Sequence, residues 1–502
     1  MSEENPSWIA DRVMGIEGWM DSRIPKNINW TVVLFVYASL LVVLNFTRLF
    51  YDNFWGDECY DIMLSRGTYE NLLYMTEYHD NHPPLHYLYF KAMCDMFGQN
   101  PFVYNLTSYI PYLVMIVLSV TIVRKDVGIQ VAAVVVTLAS ILGTTQYYMT
   151  EARQYQLALV LLFVMFIILY RILQDPRPGY FVMMTAVYIM ACYTHYYALM
   201  AGGLMYVAYG ISCIMDRNRT AFLYAAVSLA IAVLAFLPWT PFLMTEATDL
   251  TDHFWLNGMP SLIDDITWFF GNNIVYVVFF PIMFLPILYF LFRAGVVKGK
   301  AISGLLSFFD LGEARWRWTI IGLFSVFFLV IFMSVYSLIF TPLISLRYIY
   351  PLSGIVWLFF AVFIPGCKAK KTLMVLVMAF ILIPGIPQCC SFMIDEYDQN
   401  QQIMDTMDVT RPFIEKDDLI ISDEWMFAGN ECRYYYSVEP DYYPIWEIPD
   451  HLSMDHDNWV FIKTCMDDGM RSHIESKGFD CELVKEEGRV GSNILWVYKV
   501  TA

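Results

Sequence analysis

The chain has 502 residues, of which 58% are hydrophobic, 17% aromatic and only 16% charged, and its mean hydropathy is +0.48. Too few polar side chains remain to cover a water-soluble globule, so the composition excludes a soluble enzyme. The net charge of -17 is uneven, because residues 391–502 hold 24 acidic and 9 basic residues and the rest is close to neutral. Such an acidic surface repels phosphates and excludes nucleic acid as a partner.

Apolar stretches of membrane-spanning length follow one another along most of the chain and predict a polytopic α-helical membrane protein. We predict eleven spans, at residues 30–50, 105–123, 127–147, 155–170, 179–195, 197–214, 221–240, 268–292, 316–340, 348–366 and 372–390. With segment 1–29 in the cytoplasm, the inner loops contain 17 of the 31 Lys and Arg residues, as the positive-inside rule requires. That N-terminal segment is too polar and acidic for a cleavable signal, so we expect the first span to be retained.

An odd number of spans places the acidic segment 391–502 on the outer side, as a domain separate from the membrane region 30–390. Its pattern predicts a small α/β domain, with helices at 399–411, 424–436 and 467–477 and strands at 418–422, 459–463, 480–487 and 493–499. The ten cysteines lack zinc-like spacing. Three of them lie in the acidic outer segment 391–502, where two can pair: Cys432, Cys465 and Cys481.

The first outer loop, residues 51–104, begins with two adjacent acids at the membrane surface, Asp57 and Glu58. Adjacent side chains point in different directions, whereas Asp57 and Asp61 lie four residues apart and can share a helical face. One carboxylate can act as a general base that takes a proton from a hydroxyl group. The alternative is that Asp57 caps the following helix and Glu58 is solvated.

The same loop places three histidines and Asp80 around the proline pair 83–84 and continues into an aromatic-rich amphipathic stretch at 85–97. That stretch is too short to span a membrane and is expected to lie along the outer interface. The prolines break the spacing of a helical metal site. We therefore favour structural roles for these histidines, His82 among them, and leave a divalent metal open.

Two arginines lie at outer helix ends. Arg153 follows Glu151 in a very short loop, and Arg347 lies at the mouth of the tenth span. A guanidinium fork suits a phosphate group. The alternatives are a local ion pair between Glu151 and Arg153, and contact of Arg347 with a lipid headgroup or a distant carboxylate.

Two further outer segments carry polar and aromatic residues. His195, Tyr196 and Tyr197 lie between the fifth and sixth spans, where tyrosines usually form an interface belt. The outer loop 241–267 is acidic and is either an acceptor-side loop or a solvated cap. Because these groups all lie at the outer rim and few charges lie within the spans, an enzyme acting on a lipid-borne anion is favoured over a transporter.

Five motifs, in their order along residues 30–390, resemble the glycosyltransferases of the GT-C superfamily, family 39 type, which includes protein O-mannosyltransferases and the aminoarabinose transferase of lipid A. They are Asp57-Glu58, His82-Pro83-Pro84-Leu85, Glu151-Ala152-Arg153-Gln154-Tyr155, His195-Tyr196-Tyr197 and Arg347-Tyr348 with Pro351. The chain lacks the large inserted luminal domain of the O-mannosyltransferases, which puts a protein acceptor in doubt.

The resemblance implies a GT-C-like fold and an inverting transfer from a polyprenyl-phosphate sugar to a hydroxyl of a glycan, lipid or protein on the extracytoplasmic face. It implies Asp57 as the base beside Glu58, with Arg153 and Arg347 on the lipid phosphate. The other implied site residues are His82, Glu151, Tyr155, His195, Tyr196 and Tyr348. No cofactor is required by the sequence, because it lacks GxGxxG and Walker patterns, although a divalent metal is possible.

The compact membrane region resembles that of prokaryotic relatives, which favours a bacterial plasma membrane. Two other functions are kept as alternatives. One is a transporter or flippase that moves a lipid-linked sugar without cleaving it. The other is an inactive scaffold that recruits partners through its acidic tail.

Overall fold

The computed structural model describes residues 7–253, 260–269, 271, 285–296, 303 and 305–502. Within them, eight helices are long and apolar enough to cross a membrane, which makes the chain a multi-pass membrane protein, as predicted. Two shorter apolar helices, Ile129–Ile141 and Pro178–Cys192, coincide with two further predicted spans. The predicted span 268–292 falls mostly outside the described residues, so the count of eleven stays a prediction.

The membrane region contains helices in the predicted order. They are Trp30–Phe46, Pro101–Leu118, Ile129–Ile141, Tyr155–Gln174, Pro178–Cys192, Tyr196–Met215, Arg219–Phe236, Leu285–Arg293, Gly312–Ile339, Ser353–Ala361 and Lys370–Thr410. Helix Ser7–Arg23 precedes them. Shorter helices continue or join them at Arg124–Asp126, Gly143–Tyr148, Thr240–His253, Leu262–Trp268, Leu346–Ile349 and Phe363–Gly366.

Helix Tyr155–Gln174 lies at the centre of the bundle and is buried along most of its length. It packs against helices Pro101–Leu118, Pro178–Cys192 and Gly312–Ile339. Gly322 permits the last of these contacts, because a Cβ atom there would lie 2.6 Å from the Phe166 ring. Small residues at such crossings let membrane helices approach closely. The outer end of this helix, where Arg153 and Tyr155 lie, is therefore fixed by packing on several sides.

The first outer loop folds into three helices, Gly56–Arg66, Tyr69–Tyr78 and Leu85–Phe97. The third coincides with the amphipathic stretch predicted at 85–97. The backbone N–H of Leu85 donates to the carbonyl of Tyr193 at 2.9 Å and so fixes the start of that helix to the membrane region. We call the side of the membrane that carries this loop the outer side.

The last membrane helix, Lys370–Thr410, has 41 residues. At 1.5 Å per residue it is about 60 Å long, roughly twice the apolar thickness of a bilayer. The separate helix predicted at 399–411 is therefore the continuation of the last span, and the predicted domain boundary at residue 391 falls inside one helix. This continuous helix, which contains Pro384 and Pro387, connects the membrane region to the outer domain.

The outer domain, which we call the tail domain, contains a five-stranded sheet in the order β2-β1-β3-β5-β4. The strands are β1 Leu419–Ser422, β2 Pro440–Tyr442, β3 Asn458–Ile462, β4 Asp480–Val490 and β5 Asn493–Thr501. Strand β1 is parallel to β2 and β3, whereas β5 is antiparallel to β3 and β4. A helical segment containing Cys432–Tyr436 and helix Asp468–Ser476 complete the predicted α/β layer. The short strand β2 was absent from the sequence prediction.

The tail domain shares a hydrophobic core with the first outer loop. Phe54, Cys59 and Ile62 of the loop belong to the same buried cluster as Tyr435 and Phe461 of the domain. Two hydrogen bonds reinforce this contact: the Tyr434 hydroxyl donates to Asp52 Oδ1 at 2.7 Å, and that of Tyr435 donates to the Phe54 carbonyl at 3.1 Å. The tail domain is therefore a structural support of the loop that carries the predicted acids.

Candidate active site at the outer rim

Asp57 lies between the two arginines that the sequence singled out. Its Oδ2 atom is 3.1 Å from Arg347 Nη1 and 4.0 Å from Arg153 Nη2. Asp57 occupies the first turn of helix Gly56–Arg66, where the helix dipole favours a carboxylate. It does not cap the helix, since Trp55 holds the cap position. Of the alternatives for Arg347, the distant carboxylate is the one observed.

Arg153 is held by an ion pair with a buried carboxylate, Asp61. Arg153 Nη1 forms an ion pair with Asp61 Oδ1, and His86 Nε2 lies 3.2 Å from Asp61 Oδ2. Burial raises the pKa of Asp61 above its usual value, and the charge of Arg153 and the His86 hydrogen bond offset only part of this rise. Arg153 has no ion pair with Glu151, so the local pair considered from the sequence is wrong. Its partners lie on the first outer loop instead.

Glu58 and Glu151 form a second, buried group. Glu58 accepts hydrogen bonds from the backbone N–H of Ala152 at 2.6 Å and of Trp55 at 3.2 Å, and Glu151 accepts one from Trp55 Nε1 at 3.2 Å. Glu58 is therefore buried and not solvated, contrary to the alternative drawn from the sequence. Burial raises the pKa of Glu151 to about 8, and burial and the Glu151 charge raise that of Glu58. At neutral pH this pair retains a proton.

The histidines form the next part of the site. His82 Nδ1 lies 3.0 Å from Asp80 Oδ1, and the Tyr87 hydroxyl donates to Asp80 Oδ2 at 2.8 Å. Burial would raise the pKa of Asp80, but the hydrogen bond and charge of His82 lower it below its usual value. The His82 ring is 6.1 Å from the ring of His195, measured between centroids. Burial lowers the pKa of His195 well below 6.5, and nearby positive charge adds to this effect.

Aromatic rings connect His195 to the arginines. The His195 ring lies 5.6 Å from that of Tyr155 and 5.7 Å from that of Tyr348. The Tyr348 ring in turn lies 5.5 Å below the guanidinium of Arg347. The Tyr196 hydroxyl has a separate partner and donates to Glu246 at 2.6 Å, although Tyr196 lines the same cavity as His82, His195 and Tyr348. Nine of the ten predicted site residues thus form one connected group, and Tyr196 lies beside it.

Two cavities adjoin the Asp57–Arg347 pair. The first, of about 330 Å³, is mostly apolar and is lined by His82, His195, Tyr348 and side chains such as Phe332 and Met333. The second, of about 420 Å³, is polar and lies between the outer loop, the long last helix and the tail domain. Tyr348 lines the apolar cavity and Trp55 the polar one, and both rings contact the Arg347 guanidinium, at 5.5 and 5.8 Å. Arg347 therefore contacts one lining residue of each cavity.

Several buried polar atoms at this site have no hydrogen-bond partner among the described residues. They are Glu151 Oε2, Arg153 Nε, Tyr155 Oη and the two side-chain polar atoms of Gln154. Buried polar groups are normally satisfied, so such a cluster marks a place where a ligand or water supplies the partners. Their mixed donor and acceptor character suits a ligand with hydroxyl and phosphate oxygens.

A divalent metal was left open by the sequence. In the part of the chain that the structure describes, no group of three or more His, Cys, Asp and Glu side chains is arranged to hold a metal ion. Asp57 and Asp61 instead contact arginines. The described residues therefore do not fit a metal site.

Three contributors to the site were missed or only partly seen in the sequence. Asp61 was noted for its helical face, and its four-residue spacing from Asp57 was the available signal. Trp55 precedes the acidic pair but bears no charge. Arg489 of the tail domain lines the polar cavity, 142 positions after Arg347 in the chain, and only tertiary structure brings it there.

Neither a family model nor a curated protein sequence matches this chain. In structure the chain is similar to ArnT from Cupriavidus metallidurans in the apo state, with a TM-score of 0.62 and 12% identity over 93% of this chain and 97% of that one. It is also similar to ArnT from the same organism bound to undecaprenyl phosphate, with a TM-score of 0.58 and 11% identity over 94% and 98%. At such low identity the likeness shows the fold alone. The protein is therefore a multi-pass membrane protein that shares its fold with ArnT.

Proposed function

We propose that the chain is an integral-membrane glycosyltransferase that moves a sugar from a polyprenyl-phosphate donor to a hydroxyl acceptor on the extracytoplasmic face. The observation that carries this proposal is the position of Asp57 between two arginines at the outer rim. A carboxylate and paired guanidinium groups are the parts that such a transfer needs. The GT-C fold, seen also in ArnT bound to undecaprenyl phosphate, supports the same assignment.

The arginines are suited to the phosphate of the donor. Arg153 is 5% exposed, and its Nε atom is buried without a partner among the described residues. Arg347 is 19% exposed and is oriented by its contacts with Trp55, Tyr348 and Asp57. Guanidinium groups fixed in this way are preorganised for a phosphate oxygen and stabilise charge that grows on it.

The apolar cavity is suited to the lipid part of the donor. Phe332 and Met333 of helix Gly312–Ile339 and Leu199 of helix Tyr196–Met215 line it, so it is built from membrane helices. Tyr348 extends from this cavity to Arg347. An isoprenoid chain in the cavity would thus leave its phosphate beside the two arginines.

The reaction follows from these positions. Asp57 takes the proton of the acceptor hydroxyl, and the oxygen attacks the anomeric carbon of the sugar. As the new C–O bond forms, the bond between that carbon and the phosphate oxygen breaks, and its electron pair stays on the phosphate. Arg153 and Arg347 stabilise the departing polyprenyl phosphate, and one displacement inverts the anomeric configuration. Glu58 and Glu151, with His82, His195, Tyr155, Tyr196 and Tyr348, position the two substrates.

The test is release of free polyprenyl phosphate by the full chain in lipid nanodiscs, supplied with labelled polyprenyl-phosphate hexose or pentose and an extract of surface glycans. We expect release by the wild type and a 10²–10³-fold lower turnover for Arg347→Gln, about the loss seen when one donor to a developing anion is removed. Arg177→Gln is the matched control, because Arg177 is 70% exposed and pairs with Asp175 on the inner side.

A flippase of a lipid-linked sugar gives a different result. In sealed proteoliposomes, which unlike nanodiscs have two separate compartments, the label would cross the bilayer and the donor would remain intact. Movement of the labelled lipid without any free polyprenyl phosphate, for both donor sugars, would overturn the proposal in favour of transport.

A further inference from the structure

The polar cavity has the chemistry of a carbohydrate site. Five of its lining residues carry amide or hydroxyl groups: Asn53, Asn105, Thr150, Gln399 and Ser492. Four aromatic rings also line it: Phe54, Trp55, Tyr147 and Phe392. Pyranose rings have hydroxyl edges that exchange hydrogen bonds with the first group and C–H faces that pack on the second. With about 420 Å³, the cavity has room for one or two sugar rings.

An unsatisfied acid faces this cavity. Glu151 is 5% exposed, lines the cavity, and has an Oε2 atom without a partner among the described residues. Its other oxygen is already bonded to Trp55 Nε1. Because the pKa of Glu151 rises to about 8 through burial, this acid can both donate to and accept from a sugar hydroxyl at neutral pH.

The charges around the cavity disfavour an anionic ligand. Four carboxyl groups line it, against one guanidinium, that of Arg489. Glu58 and Glu151 share a proton and Glu396 is paired with Arg48, but Asp395 and the remaining charge of the buried pair still leave the lining acidic. Arg489 has a buried Nε atom without a partner among the described residues. A neutral sugar can use that donor and the carboxylate acceptors together, whereas a phosphate or sulfate would have to approach the carboxylates.

The tail domain supplies one wall. Arg489 at the end of β4 and the residues Gly491 and Ser492 of the β4–β5 turn line the cavity. Glu431 fixes this turn, because it accepts hydrogen bonds from the Ser492 N–H at 3.2 Å and from Asn493 Nδ2 at 3.0 Å. Gly491 is required here: its φ of 56° is left-handed, and a Cβ atom would lie 2.4 Å from Glu431 Cδ.

We propose that this cavity binds the acceptor and that the acceptor is a neutral saccharide. The acceptor role rests on the proposed function, because Trp55 and Glu58, which flank Asp57 in the chain, line the cavity and would bring a bound hydroxyl towards that base. The tail domain then serves as part of the acceptor site. A requirement for this domain in transfer follows directly.

The experiment measures binding separately from transfer. The full chain in fluorescent nanodiscs is applied to an array of neutral oligosaccharides and to the same cores bearing phosphate, sulfate or carboxylate groups. We expect neutral glycans to bind at least tenfold more tightly than their anionic counterparts. Tyr147→Ala and Arg489→Gln should each weaken that binding by about tenfold or more. Arg433→Gln is the matched control on the tail domain, because Arg433 forms an exposed pair with Glu439.

The outcomes separate the two proposals. Equal or tighter binding of the anionic glycans, no glycan binding at all, or full binding by both cavity variants would overturn the neutral-saccharide site. Thermal unfolding of each variant excludes loss of the fold as the cause. Neutral glycan binding without release of polyprenyl phosphate from any donor would instead overturn the proposed function and leave a saccharide site. Release without glycan binding leaves the function and removes this inference.

Discussion

Two carboxylates on one helix contact the same arginine and should respond in opposite ways to the same substitution. Asp57 is 33% exposed and pairs with Arg347 at the mouth of the site. Asp61 is completely buried and pairs with Arg153. Asparagine keeps the shape of each side chain and removes one charge. The variants Asp57→Asn and Asp61→Asn therefore separate the reaction from the fold.

The expected losses of stability differ by several kilocalories per mole. In Asp61→Asn the buried guanidinium of Arg153 loses its main counter-charge, and one-sided removal of a buried pair costs about 3–5 kcal/mol. Asp57→Asn breaks a partly exposed pair, whose contribution is about 0–1 kcal/mol. We expect a clearly lower unfolding temperature for Asp61→Asn and nearly the wild-type value for Asp57→Asn.

For Asp57→Asn we expect a large loss of activity although the loss of stability is small. Removal of a general base slows a reaction by about 10²–10⁴, which corresponds to about 2.7–5.5 kcal/mol at 1.36 kcal/mol per factor of ten. Asp57→Asn should therefore be folded and nearly inactive. Its loss should appear in the turnover number and little in the KM for the donor, because both arginines remain.

The assays are thermal unfolding in one detergent, followed by near-UV circular dichroism, and release of polyprenyl phosphate at a temperature where every variant is folded. Asp95→Asn is the matched control, because Asp95 is on the same loop, is 43% exposed and pairs with Lys91 at 3.2 Å. An unfolding temperature of Asp61→Asn equal to that of the wild type would refute the ionised buried pair. Wild-type turnover by Asp57→Asn would refute the base.

Three further predictions concern the supports of the site. The pKa of Glu151 is about 8 in the folded state and 4.5 in the unfolded state, so the protein binds a proton when it folds between these pH values. The free energy of unfolding should therefore fall as the pH rises from about 4.5 to 8. Glu151→Gln should reduce this pH dependence, measured as unfolding temperature against pH. Gly491→Ala should lower the free energy of unfolding by about 1–3 kcal/mol, because the new Cβ atom strains the left-handed backbone. Gly429→Ala is the control, because no atom lies within 4 Å of a Cβ atom there. Thermal unfolding measures both. Tyr434→Phe should cost about 1.5–3 kcal/mol by removing the hydrogen bond to Asp52, measured as protease sensitivity of the tail domain.

Local pattern was enough to predict the elements but not all their limits. The spacing of apolar residues and the length of the apolar stretches located the membrane helices. Strands β1, β3, β4 and β5 contain alternating or consecutive apolar residues, which indicate a strand. Strand β2 consists of three largely exposed residues beginning with Pro440, so it carries no such signal. The last membrane helix continues beyond residue 390 because the polar residues that follow also favour a helix. Hydropathy indicates where the apolar stretch ends, but not where the helix ends.

The site was predictable as a set of residues and not as a set of contacts. Asp57 and Arg347 are 290 positions apart, and only the resemblance to known glycosyltransferases joined them before the fold was seen. Neighbours in sequence were misleading in the case of Glu151 and Arg153, which are two positions apart and have different partners. Burial decides such choices: Glu58 and Asp61 are buried, and Asp57, which precedes them on the same helix, is partly exposed and pairs with Arg347.

The shared core between the outer loop and the tail domain has a consequence for catalysis. Helix Gly56–Arg66, which carries Asp57, packs on the tail domain through Cys59 and Ile62, whereas Arg347 belongs to the membrane bundle. The distance between base and phosphate site therefore depends on how that domain is seated. Since a displacement of about 1 Å can cost a factor of 10² in rate, weakening this core should reduce transfer even where every site residue is intact. We therefore expect the tail domain to position the proposed base, Asp57, as well as to form one wall of the polar cavity.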